Sequence, residues 1–271
     1  MNDLIITSAK NPKIKYLLEL QQKSSERRKS GLFVVEGRRE LEHCVSAGYM
    51  VESLFVSEEL KADGSDILAI QASNGGALNR TSVYTLSASV YEKVAYRGST
   101  EGVIAIVKAK SHRLEDLHLK ENPLIVVLES VEKPGNLGAV LRSADAAQAD
   151  AVIVCDPLTD LYNPNLIRSS IGAIFTVPTV ACTSEDCIAF FKKHDVQILT
   201  AQLQDSCLYY DTPMTQGTAI VMGTESTGLT DQWRKAATAH IRIPMLGRLD
   251  SLNVSVSAAI LLFEAVRQRQ S

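Results

Sequence analysis

The 271-residue chain has no excess of charge of one sign: 28 Lys and Arg stand against 31 Asp and Glu, a formal net charge of −3. Such a molecule is no polycation, so any surface for nucleic acid has to be local. Cysteine is scarce, and its five occurrences (Cys44, Cys155, Cys182, Cys187, Cys207) are odd in number and form no CxxC pair. That pattern argues against a disulfide framework or a zinc site, and small buried hydrophobes in a reducing compartment account for it. The five histidines include no HxxxH spacing, so no metal is expected. No apolar run approaches the roughly 18 residues of a membrane helix. The opening MNDLIITSAKNPK lacks the charged-then-apolar pattern of a leader. The expectation is a cytoplasmic protein with no membrane partner. Neither GxGxxG nor GxxxxGK[ST] occurs, which argues against dinucleotide-dependent and NTP-hydrolysing chemistry.

What is present begins with a local basic cluster. Residues 1–40 carry nine Lys and Arg against five acids. Lys10, Lys13, Arg27, Arg28 and Lys29 are the candidates for phosphate contacts, extended by Arg38 and Arg39; a solvated helix face is the plainer alternative. Asn11-Pro12 opens a helical stretch with apolar residues at Ile14, Leu17, Leu18 and Leu20. LFVVEG, VESLFVS, TSVYTLS and EGVIAIVK read as strands, with a helix from about Arg39 to Ala47 that stops at Gly48. Residues 1–108 are therefore read as a small α/β domain. The charged stretch 109–122 reads as a linker or a surface helix, and 123–271 as a second domain.

After Pro123 the pattern becomes regular. LIVVLES (124–130), AVIVCDP (151–157), QILTAQL (197–203) and TAIVMGTE (218–225) are apolar strand-like runs. Helical stretches lie between them: NLGAVLRSADAAQA, NPNLIRSSIGAIF and SEDCIAFFKKH. Strands without polar alternation, separated by helices, imply a parallel sheet covered on both faces. Ligands of such sheets bind outside the carboxyl ends of the strands. The loops after Glu129, Met222 and Ile243 are thus the expected site.

Three segments occupy those loops. In EKPGNLGAVLRSADA (132–146) a strand runs into a Pro-Gly turn and a helix begins near Asn136. Gly138 and Arg142 are four apart and share one face of that helix. A tight strand–helix connection with a solvated arginine explains this segment equally simply. In VMGTESTGL (221–229), Gly223 and Gly228 allow the chain to fold closely around a ligand, and Glu225 is either an orienting acceptor or a structural acid. In IPMLGRLDSLNVSVSAA (243–259), Asp250 or Ser251 is placed to cap a long helix running to about Arg269, although LNVSVS alternates like a strand. Ser251, Asn253, Ser255 and Ser257 are many small polar groups beside an apolar run.

Together, in this order, the three segments resemble the signature motifs of the SpoU/TrmH-type RNA 2′-O-ribose methyltransferases of the SPOUT superfamily. The resemblance rests on Asn136, Gly138 and Arg142; on Gly223, Glu225 and Gly228; and on Pro244, Ser251, Leu252, Asn253 and Ser255. It covers residues 123–271, with a looser likeness of the first half to the ribosomal-protein-like substrate-binding module of that family. The resemblance implies a C-terminal domain with a trefoil knot, where periodicity alone predicts an unknotted sheet. It implies S-adenosyl-L-methionine as methyl donor, held by Met222, Gly223, Ile243 and Leu252. It places Arg142, Asn136, Glu225, Ser251 and Asn253 in the catalytic set, and implies a homodimer. Ribosomal RNA is implied as substrate before transfer RNA. The family proposal makes the Arg142 equivalent a general base, but a guanidinium offers donors and no acceptor. A cation that fixes a phosphate and stabilises an alkoxide is the alternative. Two other readings stay open: a non-catalytic RNA-binding or ribosome-assembly protein that keeps the fold, and a SPOUT enzyme that methylates a base.

Overall fold

The computed structural model describes residues 5–59, 81–96, 101–224 and 226–270. The chain divides into two compact units, Met1–Ser111 with Asp160–Thr176, and His112–Thr159 with Val177–Ser271. The second half of the chain thus lends a short excursion to the first unit, which the periodic pattern of 123–271 did not reveal.

In the first unit the helix Pro12–Gln22 starts as expected, with the Asn11 side chain accepting from the Lys13 N–H and Pro12 in the first turn. A second helix, Ser24–Ser30, ends at Gly31, whose φ of +66° is open to glycine without strain. Strands β1 (Leu32–Glu36), β2 (Val51–Ser57), β3 (Ser82–Leu86) and β4 (Val103–Lys108) form a sheet in the order β1-β4-β2-β3. β4 runs antiparallel to both β1 and β2, and β2 parallel to β3. One core layer combines Ile14, Leu17 and Leu20 of the first helix with Val34, Phe55, Ile104 and Ile106 of the sheet. Phe33 of β1 instead stacks on Tyr162 of the excursion at 4.3 Å between ring centroids, and Phe175 flanks Tyr49 at 5.2 Å. The stretch NPNLIRSSIGAIF is two short helices, Pro164–Ser169 and Ala173–Thr176, because Ile171 (φ +55°) and Gly172 (φ +79°) turn left-handed between them.

The second unit is a seven-stranded sheet, parallel throughout: β5 (Leu124–Glu129), β6 (Ala151–Cys155), β7 (Thr179–Cys182), β8 (Gln197–Ala201), β9 (Cys207–Leu208), β10 (Thr218–Met222) and β11 (Ala239–Arg242). Its order is β7-β6-β5-β10-β8-β11-β9. The apolar runs are buried on both faces. Ile125, Val127, Ile153 and Val221 pack with Phe191 and Trp233 on one side. The intervening Val126, Leu128, Val154 and Ile220, equally inaccessible, point to the opposite face by the period-two rule. The helix Pro134–Ala146 packs against the final helix Val254–Gln270. That helix starts later than expected: the cap is Asn253, whose Oδ1 accepts from the Ser255 N–H at 3.0 Å, and neither Asp250 nor Ser251 serves. LNVSVS is thereby helical from Val254 onward. Among the described residues no helix is long and apolar enough to cross a membrane.

One basic residue is corrected by the fold. Arg27 is buried, its Nε donates to Asp160 Oδ2 at 2.6 Å, and its Nη1 donates to the Leu20 carbonyl at 2.6 Å. Its guanidinium is consumed inside the first unit, so it leaves the set of phosphate contacts. Removing one partner of a buried ion pair strands the other charge, at a cost of about 3–5 kcal/mol. Arg27→Ala is therefore expected to lower stability by about that amount in denaturant titration, while Arg28→Ala, at an exposed position, changes it by about 0.5 kcal/mol or less. Equal effects of the two substitutions would refute the assignment.

Candidate active site

The second and third segments meet at the carboxyl ends of β10, β8 and β11, and the first, which follows β5, adjoins them. A cavity of about 420 Å³ is lined there by Met222, Gly223, Gly228, Ile243, Ser251 and Leu252, among others. All four predicted donor-binding residues thus line one space. Its tightest point is Gly223: a Cβ there would stand 2.2 Å from the Gly228 carbonyl oxygen and 2.6 Å from the Leu229 nitrogen. The loop closes on itself because the Gly228 N–H donates to the Thr224 carbonyl at 3.0 Å, with Gly228 at φ +67°. Thr224 Oγ1 accepts the Thr227 N–H at 3.1 Å and lies 2.7 Å from Thr227 Oγ1. Glu225, the predicted acid of this loop, lies outside the described residues.

A second cavity, of about 210 Å³, lies beside the first and shares Gly223, Thr224, Ser226 and Val254 with it. Asn136 lines it, and Asn253 Nδ2 donates to Asn136 Oδ1 at 3.2 Å. This bond joins the first and third segments, 117 residues apart. Asn253 Oδ1 accepts in turn from Ser255 Oγ at 2.6 Å, so both ends of the amide are engaged. Ser251 Oγ donates to Asp250 Oδ1 at 3.1 Å. Arg142 is exposed on the same helix as Asn136 and lines neither cavity. Of the basic residues of the first unit, Lys10, Arg28 and Lys29 are exposed. Lys13 is exposed as well, but its Nζ donates to the Tyr84 hydroxyl at 2.7 Å and sits over that ring; the ammonium draws the Tyr84 hydroxyl below its ordinary pKa.

Residues 123–263, more than half of the chain, match the model of the SpoU rRNA Methylase family. The chain belongs to that family. Residues 11–105 match a further model, the MRM3-like substrate binding domain. Among curated relatives of the SpoU chain, the 23S rRNA (guanosine(2553)-2′-O)-methyltransferase RlmP of Bacillus subtilis (strain 168) is 28% identical, over 95% of this chain and 97% of its own. The 23S rRNA (uridine(2479)-2′-O)-methyltransferase of Streptomyces viridochromogenes is 28% identical over 97% and 92%. Among solved structures, an RNA 2′-O ribose methyltransferase superposes with a TM-score of 0.83 at 38% identity, covering 99% of this chain and all of that one. The AdoMet-bound rRNA methyltransferase of Sinorhizobium meliloti gives 0.87 at 28% identity, covering 99% of each.

Several lining residues of the SpoU cavity escaped the sequence reading. Gln202 follows β8 directly, and its Oε1 is buried with no hydrogen-bond partner among the described residues, although its Nε2 donates to the Gln204 carbonyl at 2.9 Å. The Gln202 amide is therefore held through its nitrogen alone, beside the cavity that the residue lines. Arg234 and Arg242 line the same space. Gln202 was findable, since QILTAQL places it one step beyond the carboxyl end of a central strand. The space, walled by apolar Met222, Ile243 and Leu252 and by polar Gln202, Arg234 and Arg242, fits a donor with an amino group and a polar tail. Gly223→Ala is expected to weaken S-adenosylmethionine binding at least tenfold in calorimetric titration. Unchanged affinity would show that the close approach at Gly223 does not shape the cavity.

Proposed function

We propose that the chain transfers a methyl group from S-adenosylmethionine to a ribose 2′-hydroxyl of ribosomal RNA. The observation that carries this reading is the meeting of three separated segments at two adjoining cavities that share Gly223 and Val254, in a SpoU chain whose full-length relatives are named for that reaction. Bound against Met222, Gly223, Ile243 and Leu252, the donor supplies an already activated sulfonium methyl. The protein's task is then to align the ribose and to assist loss of its hydroxyl proton.

In this reading Asn136 and Asn253 act as one unit: their mutual bond fixes where the ribose sits, with Ser251 on the wall of the neighbouring cavity, while Glu225 takes the catalytic-set role that the resemblance implies. Arg142 stands about 1.7 helical turns beyond Asn136, outside both cavities. It carries five donors and no acceptor, which suits a cation that grips the neighbouring phosphate and stabilises the developing alkoxide better than a group that takes the proton. The first unit supplies the RNA address through Lys10, Lys13, Arg28 and Lys29, contacts that give affinity without choosing sequence. The third segment exposes Leu246, Leu249 and Val256, and the helix it leads into exposes Phe263, apolar side chains that a second copy of the chain would cover; a homodimer and the trefoil knot belong to the same proposal, as does a cytoplasmic setting.

The test is transfer of labelled methyl to ribosomal and transfer RNA, followed by nucleoside analysis. A 2′-O-methylated nucleoside from ribosomal RNA is expected; a methylated base, or no incorporation, would contradict the reading. Arg142→Ala should lower turnover by about 10²–10³-fold or more while cofactor affinity stays within about twofold. Recovery in Arg142→Lys would assign the role to charge, and substantial turnover by the alanine variant would remove Arg142 from the mechanism. Neutralising Lys10, Arg28 and Lys29 together should weaken RNA binding and flatten its salt dependence, by about 0.7–0.9 in logarithmic slope per lost contact. An unchanged slope would refute the patch.

A further inference from the structure

Three of the five cysteines converge, which neither their number nor their spacing foretold. Cys155 and Cys182 are register partners at the carboxyl ends of the adjacent strands β6 and β7. Cys187 reaches them from the helix Ser184–Lys193 that follows β7. Their sulfurs all lie within 4.8 Å of one another, the only such group of potential metal ligands among the described residues, and Cys155 Sγ stands 4.0 Å from Cys182 Sγ. Cys155 and Cys187 are fully buried, whereas Cys182 is half-buried and lines a separate groove of about 800 Å³. This groove shares no lining residue with the two cavities at the other strands.

A buried cysteine is ordinarily a small hydrophobe. That account covers each thiol singly, but not three sulfurs brought from two strands and a helix to one point with a side open to a groove. Thiolates bound tetrahedrally to zinc at about 2.3 Å stand about 3.8 Å apart. The Cys155–Cys182 separation is within a few tenths of that value, and the three sulfurs, all within 4.8 Å of one another, close on an ion by drawing together by up to about 1 Å. We propose that Cys155, Cys182 and Cys187 form a three-thiolate site for a thiophilic divalent d10 cation of the zinc and cadmium class, with its fourth position facing the groove. Binding is an exchange in which three S–H bonds break, three metal–sulfur bonds form and three protons leave to solvent, with no change of oxidation state. The complex carries one net negative charge; the groove wall contributes Lys193 of the opposite sign, together with Asp156 and Asp186 of the same sign. Asp186 and His194 on the same wall, or a water, are of the right chemistry for the open position.

Cadmium titration of the whole chain under a phosphine reductant tests the site. Thiolate-to-cadmium charge-transfer absorption should saturate at one ion per chain, disappear in Cys182→Ser and in Cys187→Ser, and persist in Cys207→Ser, whose exposed thiol lies outside the cluster. Cys182 is only half-buried, so its serine variant is the one expected to fold unaltered, with near-ultraviolet circular dichroism confirming it. Absence of the band in the wild-type chain, or its survival in both cluster variants, overturns the proposal. So does a chain that takes up no cadmium but closes a Cys155–Cys182 disulfide with peroxide, which would make the cluster a redox pair.

Discussion

A buried carboxylate holds the site loop to the sheet. Glu129, the last residue of β5, is 3% exposed, and it accepts the Thr230 N–H at 2.9 Å and the Thr230 hydroxyl at 2.6 Å. Residues 223–229 are therefore fastened at both ends, by Met222 within β10 and by Thr230 on Glu129. Next to this clamp, Trp233 Nε1 donates to Ser184 Oγ at 2.9 Å, and Ser184 Oγ donates to Asp156 Oδ2 at 2.6 Å. A charge so deep in the protein is tolerated only where donors surround it. Here the donors come from Thr230, the residue directly after the segment that carries the glycines, so what stabilises the charge also anchors the cavity wall.

From that anchor the remaining features follow in order. With the loop fixed, Gly223 can press against Gly228, where any Cβ would collide with backbone, and the space that remains runs along Met222 toward Ile243 and Leu252. The third segment crosses the same opening and is locked to the first by the Asn253–Asn136 bond. The parallel sheet matters because it gathers strand ends of remote sequence on one edge. The first unit owes its basic surface to exposed lysines and Arg28, while Arg27 spends its charge inward, on Asp160 and on the carbonyls that end the first helix.

Most of the sheet was legible because β5, β6, β8 and β10 are buried on both faces and read as uninterrupted apolar runs. β7, β9 and β11 were harder: each has four residues or fewer, too few to show a period. The start of the last helix was misplaced by two or three residues because Asp250, Ser251 and Asn253 are all good caps, and only geometry selects Asn253. The excursion 160–176 belongs with the first unit through rings such as Tyr162 and Phe175, a long-range pairing that no local pattern encodes. Met222, Gly223, Ile243 and Leu252, which line one cavity, were singled out through a family resemblance, since each segment alone has a plain structural explanation. Glu129 and the cysteine cluster were invisible for one reason: both depend on which strand ends become neighbours.

The central claim, that the Glu129 clamp on Thr230 creates the methyl-donor cavity, is tested most directly by calorimetric titration of S-adenosylmethionine into the wild-type chain and Glu129→Ala, both below their melting transitions. Loss of hydrogen bonds to a buried charged acceptor costs about 1.5–3 kcal/mol each. The account predicts a folded variant of lowered stability whose affinity for the donor falls at least tenfold. An affinity equal to that of the wild-type chain in a folded Glu129→Ala variant would contradict it.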